Sequence, residues 1–159
     1  LADDELVEAV RFTRFGPGTR PAFLESSRRH GDYALAGVAV AVDVADGVVV
    51  SARAGFVSVT PVPLVLDLTP VLRGRDAGAP VPDEVTDAVR EFVDPEGDIH
   101  ATADYRRMLA AELTRRALAT ATHPTPAADP APTTAPAGWK PGGSIFRERK
   151  IGRAAQVRA

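Results

Sequence analysis

Between Tyr33 and Val44 the valines fall at 38, 40, 42 and 44, with Ala39 and Ala41 among the residues between them. A period of two puts the valines on one face of a strand, and the small apolar residues on the other face predict burial on both sides. The Asp46-Gly47 pair that follows is a strong hairpin signal, because a two-residue turn of the favoured kind needs positive φ at both central positions. A return strand is expected from Val48 to about Thr60, with Ser51, Arg53 and Ser58 giving it a more polar side.

Upstream, Leu6, Val7, Val10 and Phe12 stand among acids and suit either a short helix or the end of a strand pair. Gly16-Pro17-Gly18 breaks whatever precedes it, and a short strand from Pro21 to Ser27 is expected with Phe23 as its anchor. Downstream, Pro61, Pro63 and Pro70 each remove a backbone donor, so Leu64 to Leu72 admits either a third strand or a short helix. Gly74 to Pro82 reads as a loop. Asp83 is the expected N-cap of a helix whose Val85, Ala88, Val89 and Phe92 recur at helical spacing, and the helix should end near Asp94-Pro95. A longer helix is expected from about His100 to Ala121, with Asp98 as cap and Tyr105, Met108, Leu109, Leu113 and Ala117 as its apolar stripe. Arg106, Arg107, Arg115 and Arg116 fall mostly outside that stripe, and Glu112 stands four residues before Arg116.

After His123 the run HPTPAADPAPTTAPAG, rich in proline and alanine without apolar periodicity, predicts an extended linker. The last residues hold Trp139, Ile145 and Phe146, with five basic residues from Arg147 onward against the single acid Glu148. Residues 123–159 are therefore expected to be a linker and basic tail, disordered alone, and residues 27–122 the folded α+β domain. Residues 1–26 are expected to be a lead-in or the end of a preceding domain. The chain starts at Leu1 with a pattern that begins at once, which suggests part of a longer polypeptide or an excised piece.

At 159 residues, 45% hydrophobic and with a net charge of -2, the chain suits one soluble globular domain with extra segments. There is no cysteine, so the chain itself carries no disulfide, thiolate nucleophile or iron–sulfur ligand set. No apolar run approaches the roughly 20 residues of a membrane helix, and the acidic start lacks the charge of a signal peptide, so a cytoplasmic location is expected.

The chemistry concentrates in a charged clasp, Ser27-Arg28-Arg29-His30-Gly31-Asp32, just before the long strand. Its guanidiniums suit bidentate binding of a phosphate or carboxylate. The plainer account makes Arg28 and Asp32 structural ion-pair or interface residues. Ser26, His30 and Asp32 are triad residue types, but crowding within one turn argues against the geometry of a hydrolase. Three scattered histidines without cysteine argue against zinc. His100 is expected to be an exposed first-turn residue of its helix. In DIHATADYRR, Asp98 is read as a cap, Tyr105 as a packing residue and Asp104 as the i, i+3 partner of Arg107. Few aromatics interleave the basic tail, so no nucleic acid partner is expected.

SSRRHGDYALAGVAVAV and DIHATADYRRMLAAELTRRAL together resemble the C-terminal part of the FAD-binding medium subunit of the xanthine dehydrogenase and carbon monoxide dehydrogenase family, the molybdenum hydroxylases. Arg28, Arg29, Asp32, Ala34 and Gly37 match its arginine clasp and small-residue strand. Asp98, Thr102, Tyr105, Arg106, Arg107, Arg115, Arg116, Ala117 and Leu118 match its D-x-x-x-S/T-x-x-Y-R-R helix motif. The resemblance covers about residues 1 to 122, and LADDELVEAVRF is similar to the end of the family's preceding flavin domain. It implies a small α+β domain, an antiparallel sheet of about three strands packed against a helical layer.

It further implies FAD, shared with an N-terminal domain whose glycine-rich pyrophosphate loops this chain does not contain. The molybdenum cofactor would sit on a large partner subunit and the iron–sulfur clusters on a small one. Arg28, Arg29 and Asp32 are the residues expected near the flavin or its interface, and Tyr105, Arg106 and Arg107 those expected in interdomain packing. No catalytic acid or base and no metal ligand is expected. A second reading is a non-enzymatic interaction module of the same fold that binds no flavin.

Overall fold

The computed structural model describes residues 4–11, 14–29 and 31–123. Phe12, His30 and the linker and tail expected after His123, from residue 124 onward, lie outside the described residues. The elements are β1 (Thr19–Ser27), β2 (Ala34–Ala45), β3 (Val48–Val57), β4 (Leu64–Asp67), α1 (Thr69–Leu72), α2 (Asp83–Phe92) and α3 (Ala103–Thr122). The four strands form one antiparallel sheet in the order β1-β2-β3-β4. The fold is thus the expected α+β arrangement with one strand more.

That strand resolves the ambiguity after Thr60: Leu64–Asp67 pair with β3, and the chain then turns into α1 with Pro70 inside its first turn. Proline is tolerated there because the first helical N–H groups have no intrahelical partner. The sheet also starts earlier than a boundary at Ser27, since β1 pairs with β2 from Thr19 onward. Residues 5–11 form neither helix nor strand, and Leu6, Val7 and Val10 are exposed.

The hairpin behaves as its sequence dictates, with Asp46 at φ 51° and Gly47 at φ 77°. From Val38 to Val42, by contrast, the alternation gives full burial on one side only. Val38, Val40 and Val42 are buried, while Ala39 on the opposite face is exposed and Ala41 partly so. Phe23 shares that open face through its pairing with Ala39 and is exposed, so among the described residues it is not the buried anchor expected. The helices cover the other face. There β2 and β3 contribute Val38, Val40, Val42, Ala52, Ala54 and Phe56 to one core with Val85 and Val89 of α2 and Ala110, Ala117, Leu118 and Ala121 of α3.

The face of α3 toward the sheet is therefore made chiefly of alanines, plus Leu113, Thr114 and Leu118. Small side chains let the helix lie close to the sheet, and each contributes little hydrophobic contrast. Tyr105 and Met108, expected in this stripe, are exposed, and Arg106, expected outside it, is buried. The N-termini differ too. Asp83 is inside α2, whose N-cap is Pro82 with no side-chain bond. Thr102, and not Asp98, caps α3, its Oγ1 accepting from the Tyr105 N–H.

At the end of the sheet near the hairpin turn, Asp43 accepts hydrogen bonds from Thr19 and Ser51, which joins β1, β2 and β3. The opposite end is open, and the two motifs of the sequence meet there.

Candidate functional site

A cleft of about 490 Å³ opens where the β1–β2 turn, the segment after β3, the α2–α3 connection and the start of α3 converge. Arg28, Asp32, Tyr33, Ser58, His100 and Arg106 are among its lining residues. Of the three expected site residues, Arg28 and Asp32 line the cleft and Arg29 does not.

The clasp is a turn. The Asp32 N–H donates to the Arg29 carbonyl at 3.1 Å, the Ser27 hydroxyl donates to the same oxygen at 3.0 Å, and Gly31 sits at φ 83°. Positive φ there is why a glycine suits the turn. Asp32 Oδ1 accepts from the Tyr33 N–H at 3.0 Å. Neither Arg28 nor Asp32 is in an ion pair among the described residues. Instead, Arg28 Nη1 lies 3.0 Å from His100 Nδ1.

His100 precedes α3 by three residues and lies in a turn organised by Asp98, which corrects its placement in the first helical turn. Asp98 Oδ1 accepts from the N–H groups of His100 at 2.8 Å and Ala101 at 2.9 Å, while Oδ2 accepts from Arg106 Nη2 at 2.6 Å. Bonds from the His100 backbone, then from Arg106, then from the Ala101 backbone hold its carboxyl pKa down at about 2.

Arg106 is the floor of the site. Its side chain is 9% exposed, and Nη1 donates to the carbonyls of Leu35 at 2.7 Å and Ser58 at 3.1 Å. Ser58 itself has φ 63°, unusual for a residue with a side chain. One guanidinium thus joins β2, the end of β3, the α2–α3 connection and α3. Its Nε is buried with no partner. The neighbouring Arg107 does what its spacing predicts, pairing with Asp104 at 2.9 Å, and also reaches Asp94 at 3.3 Å.

Sequence reasoning marked Asp98 and Arg106 within one motif but missed that they bind each other. They stand eight positions apart with a turn between them, so no helical spacing signals the contact. Nor does anything local signal that His100 meets Arg28, which is 72 positions away. Among the described residues, no group of three or more His, Asp and Glu is placed to hold a metal, and no helix is long and apolar enough to cross a membrane.

The family described as the CO dehydrogenase flavoprotein C-terminal domain matches residues 21–121. The caffeine dehydrogenase subunit beta of Pseudomonas sp. (strain CBB1) is 35% identical over 76% of this chain and 41% of its own length. The carbon monoxide dehydrogenase medium chain of Hydrogenophaga pseudoflava is 28% identical over 74% of this chain and 42% of its own. The chain therefore spans about two fifths of the curated relatives it matches. In structure it is similar to a carbon monoxide dehydrogenase from Hydrogenophaga pseudoflava that lacks the Mo-pyranopterin moiety, with a TM-score of 0.59, 31% identity, and coverage of 67% of this chain and 38% of that one. Quinoline 2-oxidoreductase from Pseudomonas putida 86 matches with a TM-score of 0.55 and 27% identity, covering 67% of this chain and 38% of that one.

Proposed function

Because the chain belongs to the CO dehydrogenase flavoprotein C-terminal domain family, we propose that it walls one side of a flavin site in a molybdenum hydroxylase and braces that subunit against its partners. The observation that carries this reading is the convergence of both family motifs on one cleft, with the Arg28 guanidinium on its wall and free of any carboxylate partner among the described residues.

The residues present fit contact with part of FAD. Arg28 has donors beyond the one facing His100, and a guanidinium can bond a phosphate or a flavin carbonyl oxygen. Asp32, Tyr33 and Arg29 extend the same turn. A full FAD pocket needs backbone cradles for the pyrophosphate, and this chain has no glycine-rich loop of that kind. In this reading a separate flavin domain would supply them. Bound FAD would accept electrons and pass them to an acceptor. This chain's own residues would orient one edge of the cofactor and exclude water from it. The molybdenum cofactor and the iron–sulfur clusters belong in this reading to a large and a small partner subunit.

A flavin titration of the purified chain, with and without the upstream domain, tests the proposal through quenching of FAD fluorescence. The extended form should bind and the 159-residue chain should not. In the extended form Arg28→Ala should weaken binding about tenfold, the size of one charge-assisted hydrogen bond. Tight binding by the short chain, or none by either form, would overturn it.

A second reading, an interaction module that binds no flavin, is favoured by one observation. Tyr33 and Ile99, at 95% and 93% exposure, stand on segments that border the cleft, and large exposed side chains of this kind suit contact with another protein. Failure of the extended form to bind FAD, together with its co-purification with the large subunit, would select this reading.

A further inference from the structure

The Arg28 side chain is exposed and has a single side-chain partner among the described residues, His100. Guanidinium is permanently charged and only donates. The Nδ1 facing it must therefore carry the lone pair, which places the imidazole proton on Nε2. His100 is thus an acceptor held toward Arg28, and the question is what holds it.

Both oxygens of Asp98 are committed. Oδ1 gathers the N–H groups of His100 and Ala101, and the Asp98 N–H donates to the Ala101 carbonyl at 2.9 Å, so residues 98–101 close into a compact turn. Oδ2 is fixed by Arg106, which is anchored in turn on the carbonyls of Leu35 and Ser58. Every link between the buried helix residue and the exposed clasp arginine is a hydrogen bond of 3.1 Å or less.

We infer that Asp98, backed by Arg106, is a positioning residue for the Arg28 guanidinium and acts through His100. The chain of contacts runs from the floor of the cleft to its wall, and its Arg28 end faces the space a ligand would take. It removes rotamer freedom from an exposed arginine before anything binds, and such pre-organisation lowers the entropy lost on binding. Its functional arm rests on the flavin reading above; its structural arm does not.

Long-range proton–nitrogen NMR of the imidazole rings tests the structural arm on the 159-residue chain at about pH 8, above the ordinary imidazole pKa of about 6.5. His100, identified by its loss in His100→Ala, should show the Nε2–H tautomer with an accepting Nδ1. Arg28→Ala and Asp98→Ala should each return it to a tautomer mixture while His123 is unmoved. Should Asp98→Ala not fold, His100→Ala carries the test from the other side, since the Arg28 side-chain nitrogen signals should then average to those of a free arginine. A His100 with its proton on Nδ1, or signals indifferent to both neighbours, would overturn the inference.

In the extended, FAD-binding form, Asp98→Ala and Arg28→Ala should each raise the FAD dissociation constant about tenfold, and the pair together no further, as expected of residues acting in series. Additive losses would overturn the relay. An Arg28→Ala variant that binds FAD normally while the NMR signature holds would sink the flavin reading and leave the positioning role standing.

Discussion

Asp98, at the entrance to α3, and Glu112, in its middle, both have carboxyl pKa values lowered to about 2, yet they serve different kinds of structure. Glu112 is lowered first by hydrogen bonds from Arg115 and then from Arg116, three and four residues along the same helix. All three groups are on one surface, and the pairing would exist in the helix alone. Asp98 is lowered chiefly by backbone groups of its own turn and by an arginine that simultaneously binds β2 and the segment just after β3. Equal shifts therefore mark unequal roles: one ion cluster decorates a helix, and the other joins four elements.

Arg106→Met should break this comparison most visibly. It strands the carbonyls of Leu35 and Ser58 and frees Asp98 at once, and loss of charge-assisted bonds at a buried site should cost on the order of 3 kcal/mol in urea unfolding at pH 7. Asp98→Ala should have the next largest effect, lowering Tm while leaving Arg106 on its two carbonyls. Its pH dependence follows from the sign of the shift. A carboxyl whose folded pKa lies below its unfolded value stabilises above the unfolded pKa and loses that contribution as pH falls through the folded one. The Tm gap between the parent chain and Asp98→Ala should thus be full above about pH 4 and close toward pH 2, which melting curves across that range will check.

Glu112→Gln should be the mildest, under about 1 kcal/mol, because surface pairs are screened and hold mobile side chains. It has the same sign, with a window opening at the ordinary glutamate value of 4.5 and closing toward about 2. Salt separates the two sites. At 1 M, where screening acts within about 3 Å, the effect of Glu112→Gln should vanish and that of Arg106→Met should persist. Equal salt sensitivity in both would dissolve the distinction between surface cluster and keystone.

The same contrast explains what could be read in advance. The Glu112 cluster and the Asp104–Arg107 pair were legible because i, i+3 and i, i+4 spacing is a property of any helix. The hairpin at Asp46-Gly47 was legible because positive φ is demanded by the turn and supplied by those two residues. Residues of both family motifs line the cleft, and Thr102 of the second motif caps α3. Misread were positions whose state depends on what lies opposite. Phe23 and Ala39 look like core residues until one finds that, among the described residues, no layer covers their side of the sheet. Tyr105 and Arg106 are adjacent, and the arginine goes inside because three acceptors wait for it there.

By itself, then, the sequence determined the α+β class, the strand period, the hairpin, both longer helices and two segments that line the cleft. These follow from short-range rules of periodicity, turn conformation and spacing. Only the tertiary structure decided which sheet face is covered, that Leu64–Asp67 joins the sheet, and that Arg28, His100, Asp98 and Arg106 form one chain of contacts. Those outcomes depend on the meeting of residues far apart along the chain, whose free energy no local pattern encodes.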